Sequence, residues 1–415
     1  MLVKSILNRV EKNKRFVYGT ARWAGNGKRI EVPIEPRKNS LPICSTCHRP
    51  GAVYDHLGLR MFDYVPLWGI AVVFLYVMRR VKCRRCGVKV EEVPWATGKS
   101  PLTRTFSLFL AMWAKRLSWL EVAVCFGTTW NQVREAVRWV VEYGLAHRDL
   151  SDVRAVGVDE MQIGHGQTYV TLVYQIDRGM RRLLNVARDR TEDSLRGFFR
   201  TRGDAWCRKI RFVCSDMWKP YLNVIREECK KALNVLDRYH LVANLNKGLD
   251  EVRRAEAKRL AGAGFHGVLD KVKYCFLKRP TNLTPNQRTR LDQVLAHDLK
   301  SVRAYMLKES FQMLWAYETV RWATWFLRKW CARAMRSRLA PIKRFARSIR
   351  KHEDLILNWF RARKEYSCGV VEGLNRKANL ITRRSYGLRE YDTLELILYH
   401  TLGHLPVPAH IHGFW

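Results

Sequence analysis

Between residues 153 and 260, short apolar runs rich in β-branched residues alternate with stretches of helical period. VRAVGVD (153–159), QTYVTLVYQID (167–177) and MRRLLNVARDR (180–190) predict three consecutive strands joined by the short turns GHG and DRG. A helix follows in TEDSLRGFFRTRG, with Thr191 as N-cap and Glu192 and Asp193 in its first turn. KIRFVCSD (209–216) reads as a buried strand ending in Asp216, and MWKPYLNVIREECKKA as a helix. LNVLDRYH then forms a fifth strand leading into the helix LVANLNKGLDEVRRAEAKRL.

Upstream, residues 100–145 carry apolar positions three and four apart. SWLEVAVCFG predicts a helix capped by Ser118 and ended by Gly127, and a second helix starts at Thr128 or Thr129. Val133, Val137 and Val140 make its inner stripe, while Trp130, Asn131, Arg134 and Arg138 lie outside it. A short helix, a Gly turn and a second helix with Arg and Asn near its start is a helix-turn-helix arrangement, although a plain helical hairpin has the same pattern. Residues 259–366 are helical and rich in Trp and Arg. Trp315, Trp322, Trp325 and Trp330 near helical spacing read as a helical core with a basic outer face; Lys343, Arg344, Arg347 and Arg350 are candidate phosphate contacts.

Charge narrows the class. With 75 Lys+Arg against 38 Asp+Glu, the 415-residue chain carries a net charge of +37, while 47% apolar residues exclude a disordered chain. The length suits two to four domains. Such a surplus calls for a polyanion, and nucleic acid is the first candidate. A membrane has little support, since the longest apolar run, VPLWGIAVVFLYVM, is too short to span one. No signal-peptide pattern opens the sequence, so a cytoplasmic, nucleoid-associated location is expected.

Seven of the eleven cysteines (Cys125, Cys207, Cys214, Cys229, Cys275, Cys331 and Cys368) are scattered singly, as reduced and mostly buried thiols are. The other four form two knuckles, CSTC (Cys44, Cys47) and CRRC (Cys83, Cys86). Paired knuckles predict one structural, tetrahedral Zn²⁺ in a zinc-ribbon-like module, with the strands LRMFDYVPLW and AVVFLYVMRRVKC between them. His48 beside Cys47 reads as a bystander.

The order of three strands, helix, strand, helix, strand, helix is that of the ribonuclease H-like fold. There the first and fourth strands lie parallel and adjacent, so Asp159 and Asp216 would meet at one lip of the sheet, where sites form in open α/β sheets. Paired carboxylates favour a cation between them, and two Mg²⁺ ions can serve an in-line phosphoryl displacement. A third acid lies in SCGVVEGLNRKANLITRRSYGLREYD (367–392), read as a helix closed near Gly387. On it Glu372, Asn375 or Arg376, Asn379 and Arg383 share a face. Glu160 points to the opposite face of its strand from Asp159. Asp237 reads as a helix cap, with His240 near the path of DNA in a supporting role.

The motifs GVDE, CSDMWKPY, DRYHLVANLNKGLDEVRR and VEGLNRKANLITRRSYGLREYDTLELILYH resemble the prokaryotic insertion-sequence transposases of the "ISL three" family, over about residues 40–400. The double CxxC resembles that family's zinc-binding domain and 100–145 its helix-turn-helix. The resemblance implies a DDE transposase with a ribonuclease H-like core, two Mg²⁺ (or Mn²⁺) ions, and Asp159, Asp216 and Glu372 as catalytic metal ligands. Cys368 departs from the small or polar residue expected before GVVEG.

The expectation is therefore a multidomain α+β chain. Its predicted parts are a basic arm (1–40), a zinc-binding domain (41–98), a helix-turn-helix (99–150), a first core part (151–258), an all-α insertion (259–366), a catalytic helix (367–400) and a tail (401–415). It would bind terminal inverted repeats and target DNA as a homodimer. Trp130, Asn131, Arg134, Arg138, Asn375, Arg376, Asn379, Arg383 and Arg384 are the DNA-contact candidates. A nuclease of the same fold and a catalytically silent DNA-binding regulator remain open.

Overall fold

The computed structural model describes residues 3–163, 168–366, 368–384 and 390–409; the predicted GHG turn and Gly387 lie outside them. The chain forms two compact units, Met1–Asp149 with Leu380–Trp415, and Leu150–Asn379.

The first unit opens with α1 (Val3–Val10) and a sheet of β1 (Phe16–Tyr18), β2 (Arg22–Ala24), β3 (Arg29–Pro36), β4 (Ala52–Leu67), β5 (Ile70–Cys83) and β6 (Gly87–Val90). Its order is β1-β3-β5-β4, with β2 on β3 and β6 on β5. The predicted basic arm is therefore corrected: most of residues 1–40 is folded. RIEVPIEP alternates with period two, buries Ile30, Val32 and Ile34, and pairs in parallel with β5. Its charged residues, Arg29, Glu31 and Glu35, occupy the outward positions. Trp68 and Gly69, both at positive φ, make the two-residue turn between β4 and β5. Phe16, Tyr76 and Trp95 pack edge to face in the core.

Three helices follow, α2 (Arg104–Trp113), α3 (Trp119–Cys125) and α4 (Trp130–His147). Ser118 with Glu121 and Thr129 with Gln132 form capping boxes at the starts of α3 and α4, and Gly127 takes positive φ between them. Val133, Val137 and Val140 are buried. The helix Tyr391–Leu402 packs on α4, burying Leu394, Ile397, Leu398 and Leu402. The division thus differs from the predicted one: residues 390–402 belong with the N-terminal sheet and helices, through an apolar face that only the folded chain matches to α4.

The second unit is a five-stranded sheet ordered β11-β10-β7-β8-β9, from β7 (Ala155–Gln162), β8 (Tyr169–Asp177), β9 (Met180–Arg188), β10 (Phe212–Ser215) and β11 (Leu233–Leu236). β7, β8 and β9 are antiparallel, whereas β10 runs parallel to both β7 and β11. Helices cover both faces, so β8 is buried almost throughout. On one face α5 (Glu192–Arg202) and α7 (Lys219–Glu228), separated by the one-turn α6 (Asp204–Cys207), cover Val156, Val158 and Val173. α8 (Arg238–Gly262) then leads into α9 (Lys273–Leu277), α10 (Pro285–Leu295), α11 (Lys300–Gln312), α12 (Val320–Arg336), α13 (Ala340–Lys351) and α14 (Glu353–Arg361). Within them Trp330, Phe311 and Phe345 form a buried aromatic cluster, while Trp322 and Trp325 are exposed. Buried Glu256 accepts from the N–H groups of Lys300 and Ser301, satisfying the start of α11. α14 packs on β11, and Asn358 donates to the carbonyl of Asn234.

In the first unit His400 is buried, and burial lowers its pKa to about 3, with Lys115 adding repulsion. The folded protein keeps this imidazole neutral, while the unfolded chain binds a proton below about pH 6.5. Stability is thus lost as pH falls through that value, at about 1.4 kcal/mol per pH unit. Denaturant titrations at pH 7 and pH 5 should show about 2 kcal/mol more loss in the wild type than in His400→Leu; equal slopes would remove His400 as the cause.

Candidate active site and metal centre

The sheet register sets three aspartates in a row. Phe212 of β10 lies opposite Ala155 of β7 and Leu233 of β11. Four residues further along each strand stand Asp216, Asp159 and Asp237. The ladder reaches this level, since the N–H of Asp237 donates to Ser215 O. Strand parity turns Gly157 and Asp159 away from the Val156 and Val158 side.

That other face receives α15 (Gly369–Arg384). Its Val371 sits against Gly157 so closely that a Cβ there would lie 2.2 Å from Val371 Cγ2. One turn earlier, buried Cys368 reaches the carbonyl of Val235 and the thiol of Cys214. One turn later, Asn375 Nδ2 donates to Asp159 Oδ2 at 2.7 Å, and Asn375 Oδ1 accepts from Tyr174 Oη at 2.7 Å. These contacts place Glu372 at the acid row, where it raises the pKa of Asp237 after burial has done most of that work.

Electrostatics follow from the crowding. Asp159 is pushed up to about 7, mainly by burial, with Asp216 and Asp237 adding repulsion. Glu160 is also pushed up to about 7, by burial and then by Asp216. Arg190 counters this: its Nη2 stands 3.0 Å from Glu160 and 3.3 Å from Asp216, and its guanidinium lies 4.3 Å over the Trp218 ring. Glu372 pairs with Arg376 at 2.6 Å. Arg190 is thus shared by Glu160 and Asp216 while Arg376 serves Glu372, and no three of the described acids bring their oxygens within 4.8 Å of one another. Asp237 accepts from the Tyr239 N–H as cap of α8, with His240 Nε2 at 3.8 Å.

The structure corrects one DNA-contact expectation: Asn375 is buried and both ends of its amide are used inside the site, so it orients Asp159. Asn379 donates to the Asn375 carbonyl. Arg376, Arg383 and Arg384 are exposed; Arg384 also donates to the Arg116 carbonyl. In α4, Trp130 and Asn131 are exposed, Arg134 reaches Glu135 and Thr393, and Arg138 pairs with Glu135. Arg190 has no sequence signal beyond a basic residue after a strand; Asn375 is in view in the sequence, but its partner is not.

The four knuckle cysteines gather with their sulfurs all within 4.8 Å, and Cys47 Sγ is 3.5 Å from Cys83 Sγ. Each knuckle closes on a residue at positive φ, His48 in the first and Gly87 in the second. Backbone N–H groups of Cys47 and Thr46 lower the Cys44 thiol to about 6, favouring thiolate. The His48 ring goes to Glu92 instead, at 2.6 Å. Four soft sulfurs at this spacing fit a tetrahedral Zn²⁺. The knuckles are tied to the sheet by Glu91, buried and held by Arg79 at 2.8 Å and by Tyr76.

Residues 156–398 match the profile of a transposase family, the ISL3 type of DDE transposase. The chain is 29% identical to the transposase for insertion sequence element IS1557 of Mycobacterium tuberculosis, over 92% of this chain and 91% of that protein. It is 24% identical to the transposase for insertion sequence element IS1001 of Bordetella parapertussis, over 92% and 96% respectively.

Two outcomes follow from this geometry. Purified protein should carry one zinc per chain by elemental analysis, and a strong chelator or Cys83→Ser should lower the melting temperature; full stability without zinc would dismiss the centre. Gly157→Ala should destabilise by about 1–3 kcal/mol through overpacking against Val371. Val371→Ala in the same chain should restore part of that loss in denaturant melts, whereas strict additivity would mean that the two do not touch.

Proposed function

The chain belongs to the ISL3 family of DDE transposases, and from that premise we propose that it cleaves the ends of an insertion sequence and joins them to target DNA, using Asp159, Asp216 and Glu372. The observation that carries this reading is the seating of α15 on β7, which brings an acid-bearing helix to the row of aspartates. The strand order, with two parallel strands added beside an antiparallel trio, supports a ribonuclease H-like core.

The donors are hard carboxylate oxygens, crowded enough that burial and mutual repulsion push Asp159 up, and a dication offsets both. Asp159, Asp216 and Glu372 would hold Mg²⁺ or Mn²⁺, two per site. Bound there, the ions would activate the attacking oxygen and stabilise the leaving one. Asn375 keeps the Asp159 carboxylate turned toward the site, and Arg190 keeps Asp216 beside Glu160. No serine or tyrosine nucleophile is required.

DNA is held elsewhere as well. We read α3 and α4 as a helix-turn-helix that meets the terminal inverted repeats through Trp130, Asn131, Arg134 and Arg138, braced by a zinc-bound module at Cys44, Cys47, Cys83 and Cys86. On α13, Ile342, Phe345, Ala346 and Ile349 face inward, which leaves Arg344, Arg347 and Arg350 exposed for phosphates. Arg376, Arg383 and Arg384 are further contacts. Two ends must be held at once, so the working form is a homodimer on DNA. No described helix is long and apolar enough to cross a membrane, and the protein would work in the cytoplasm, on the nucleoid.

The test is an excision-and-insertion assay with the gene's own flanking DNA around a marker, in Mg²⁺. Wild type should mobilise the marker; Asp216→Ala and Glu372→Gln should bind the ends yet cut below detection. Cutting without joining of pre-cut ends would make the protein a nuclease. Binding by wild type with neither cutting nor joining would make it a regulator.

A further inference from the structure

The sheet of the second unit carries another charged hollow, at the end away from the acid row. Arg154 and Arg211 stand just before β7 and β10, the strands that run toward Asp159 and Asp216, and both line a surface hollow of about 530 Å³. Arg178, which follows β8, and Arg361 and Arg363, at and just past the end of α14, complete a set of five arginines. Two of the five have partners: Arg154 donates to the carbonyls of Ser151 and Val153, and Arg361 to Asp354 and Asn358. Arg178, Arg211 and Arg363 are exposed, and among the described residues none of them pairs with a carboxylate. The hollow also holds three acids, Asp152, Asp177 and Glu365, so positive charge is in excess. Of these, Asp177 already accepts from the Arg154 N–H and the Gln175 amide. Arg363 and Lys364 both take positive φ, 50° and 61°. A backbone that suits glycine, held twice in a row by basic residues, points to a use for the side chains.

We propose that this hollow is a second DNA-backbone site, holding phosphates that lie away from the bond being cut. The inference rests on the transposase reading of the protein. Each unpaired guanidinium can meet two phosphate oxygens at once, and the three come from separate elements anchored to one sheet, so they are presented as a fixed set. Arg211 precedes Asp216 by five residues along β10, which separates the hollow from the acid row by roughly 16 Å. On one duplex, at about 3.4 Å per step, a phosphate held there is roughly five base pairs or more from the cut. Otherwise it belongs to another duplex, the target DNA. A free nucleotide fits the hollow less well. Its arginines are exposed, and the Tyr366 ring is already stacked on Phe212 at 4.4 Å, so a base would gain little burial. An acidic protein segment offers comparable oxygens, but a chain of net charge +37 that acts on DNA meets phosphate first.

The experiment titrates salt with full-length protein. Binding is measured on a duplex from the gene's own flanks and on an unrelated duplex. Each phosphate contact contributes about 0.9 to the slope of log affinity against log salt. Arg178→Ala, Arg211→Ala and Arg363→Ala combined should therefore lower the slope by about 2 to 3 on at least one duplex. The same three positions changed to lysine should keep most of it, because the charge stays. A loss that includes the end duplex assigns the hollow to the element's own flank; a loss on the unrelated duplex alone assigns it to target DNA. An unchanged slope on both overturns the proposal. Where the end duplex responds, a scan with neutral methylphosphonates locates the contact. Positions that matter to wild type but not to the triple variant should lie roughly five base pairs or more from the cut. Positions found only at the cut itself overturn the proposal, since the arginines would then act through the acid row. Arg363→Gly, which suits the positive φ, should hold the melting temperature and still lose about 0.9 of slope, and this separates contact from folding. If wild type cuts its ends and the slopes agree, only this site falls. If wild type binds no DNA, the transposase reading falls and the site with it.

Discussion

The contact between Gly157 and Val371 holds the candidate site together. A β-strand can accept a helix at van der Waals distance only where a side chain is missing, and Gly157 supplies that gap two residues before Asp159. The residue just before α15 and its first two turns then meet the sheet, through Cys368, Val371 and Asn375. Because Glu372 follows Val371 directly, its position relative to Asp159 is fixed by packing and one hydrogen bond, not by nearness in the chain. Any shift of the helix along the strand would break the Asn375 bond and move the acid by the same amount.

Charge explains why that site is tightly managed. A chain with a net charge of +37 attracts phosphate over much of its surface, yet here it concentrates carboxylates in a half-buried row. Their mutual repulsion is met locally: Arg190 spans Glu160 and Asp216, Arg376 covers Glu372, and the Asn375 amide serves Asp159. Of these, only the amide is neutral, while burial pushes both Asp159 and the Arg190-paired Glu160 up to about 7. Asp159, met by an amide instead of a guanidinium, has much to gain from a dication.

Much of this was legible in the sequence, and the limits have physical causes. Strand period marks Asp159 and Asp216, but only Asp216 follows the end of its strand: β7 runs on past Asp159 to Gln162 against β8, a continuation that the polar pair Asp159–Glu160 hides. The knuckle spacing gathers Cys44, Cys47, Cys83 and Cys86 because each pair is local. Asp237 reads as a helix cap, which it is, but its place in the row emerges only from the register of β10 on β11. Asn375 reads as a base-contacting amide because helix spacing shows which residues share a face and not what that face meets. Arg190 is one of many arginines until Glu160 and Asp216 converge on it. The same lack of partner information hides β3, whose pairing with β5 no local pattern names, and the fit of the last helix to α4.

The long all-α stretch before α15 bears on the site through the place where it returns to the sheet. Such a segment could in principle leave the catalytic helix on a long, loosely placed connection, because loop length alone costs little but specifies nothing. Here its final helix, α14, docks on β11, with the Asn358 amide on the Asn234 carbonyl. The chain therefore re-enters the sheet one strand from its acids, and only a short connection remains before α15. The same docking brings Trp359 against Arg238, next to Asp237. One packing event thus sets the start of the helix that carries Glu372 and builds the aromatic wall beside it. A change that loosens α14 from β11 should disturb the acid row and the aromatic wall together, although no residue of α14 belongs to the acid set.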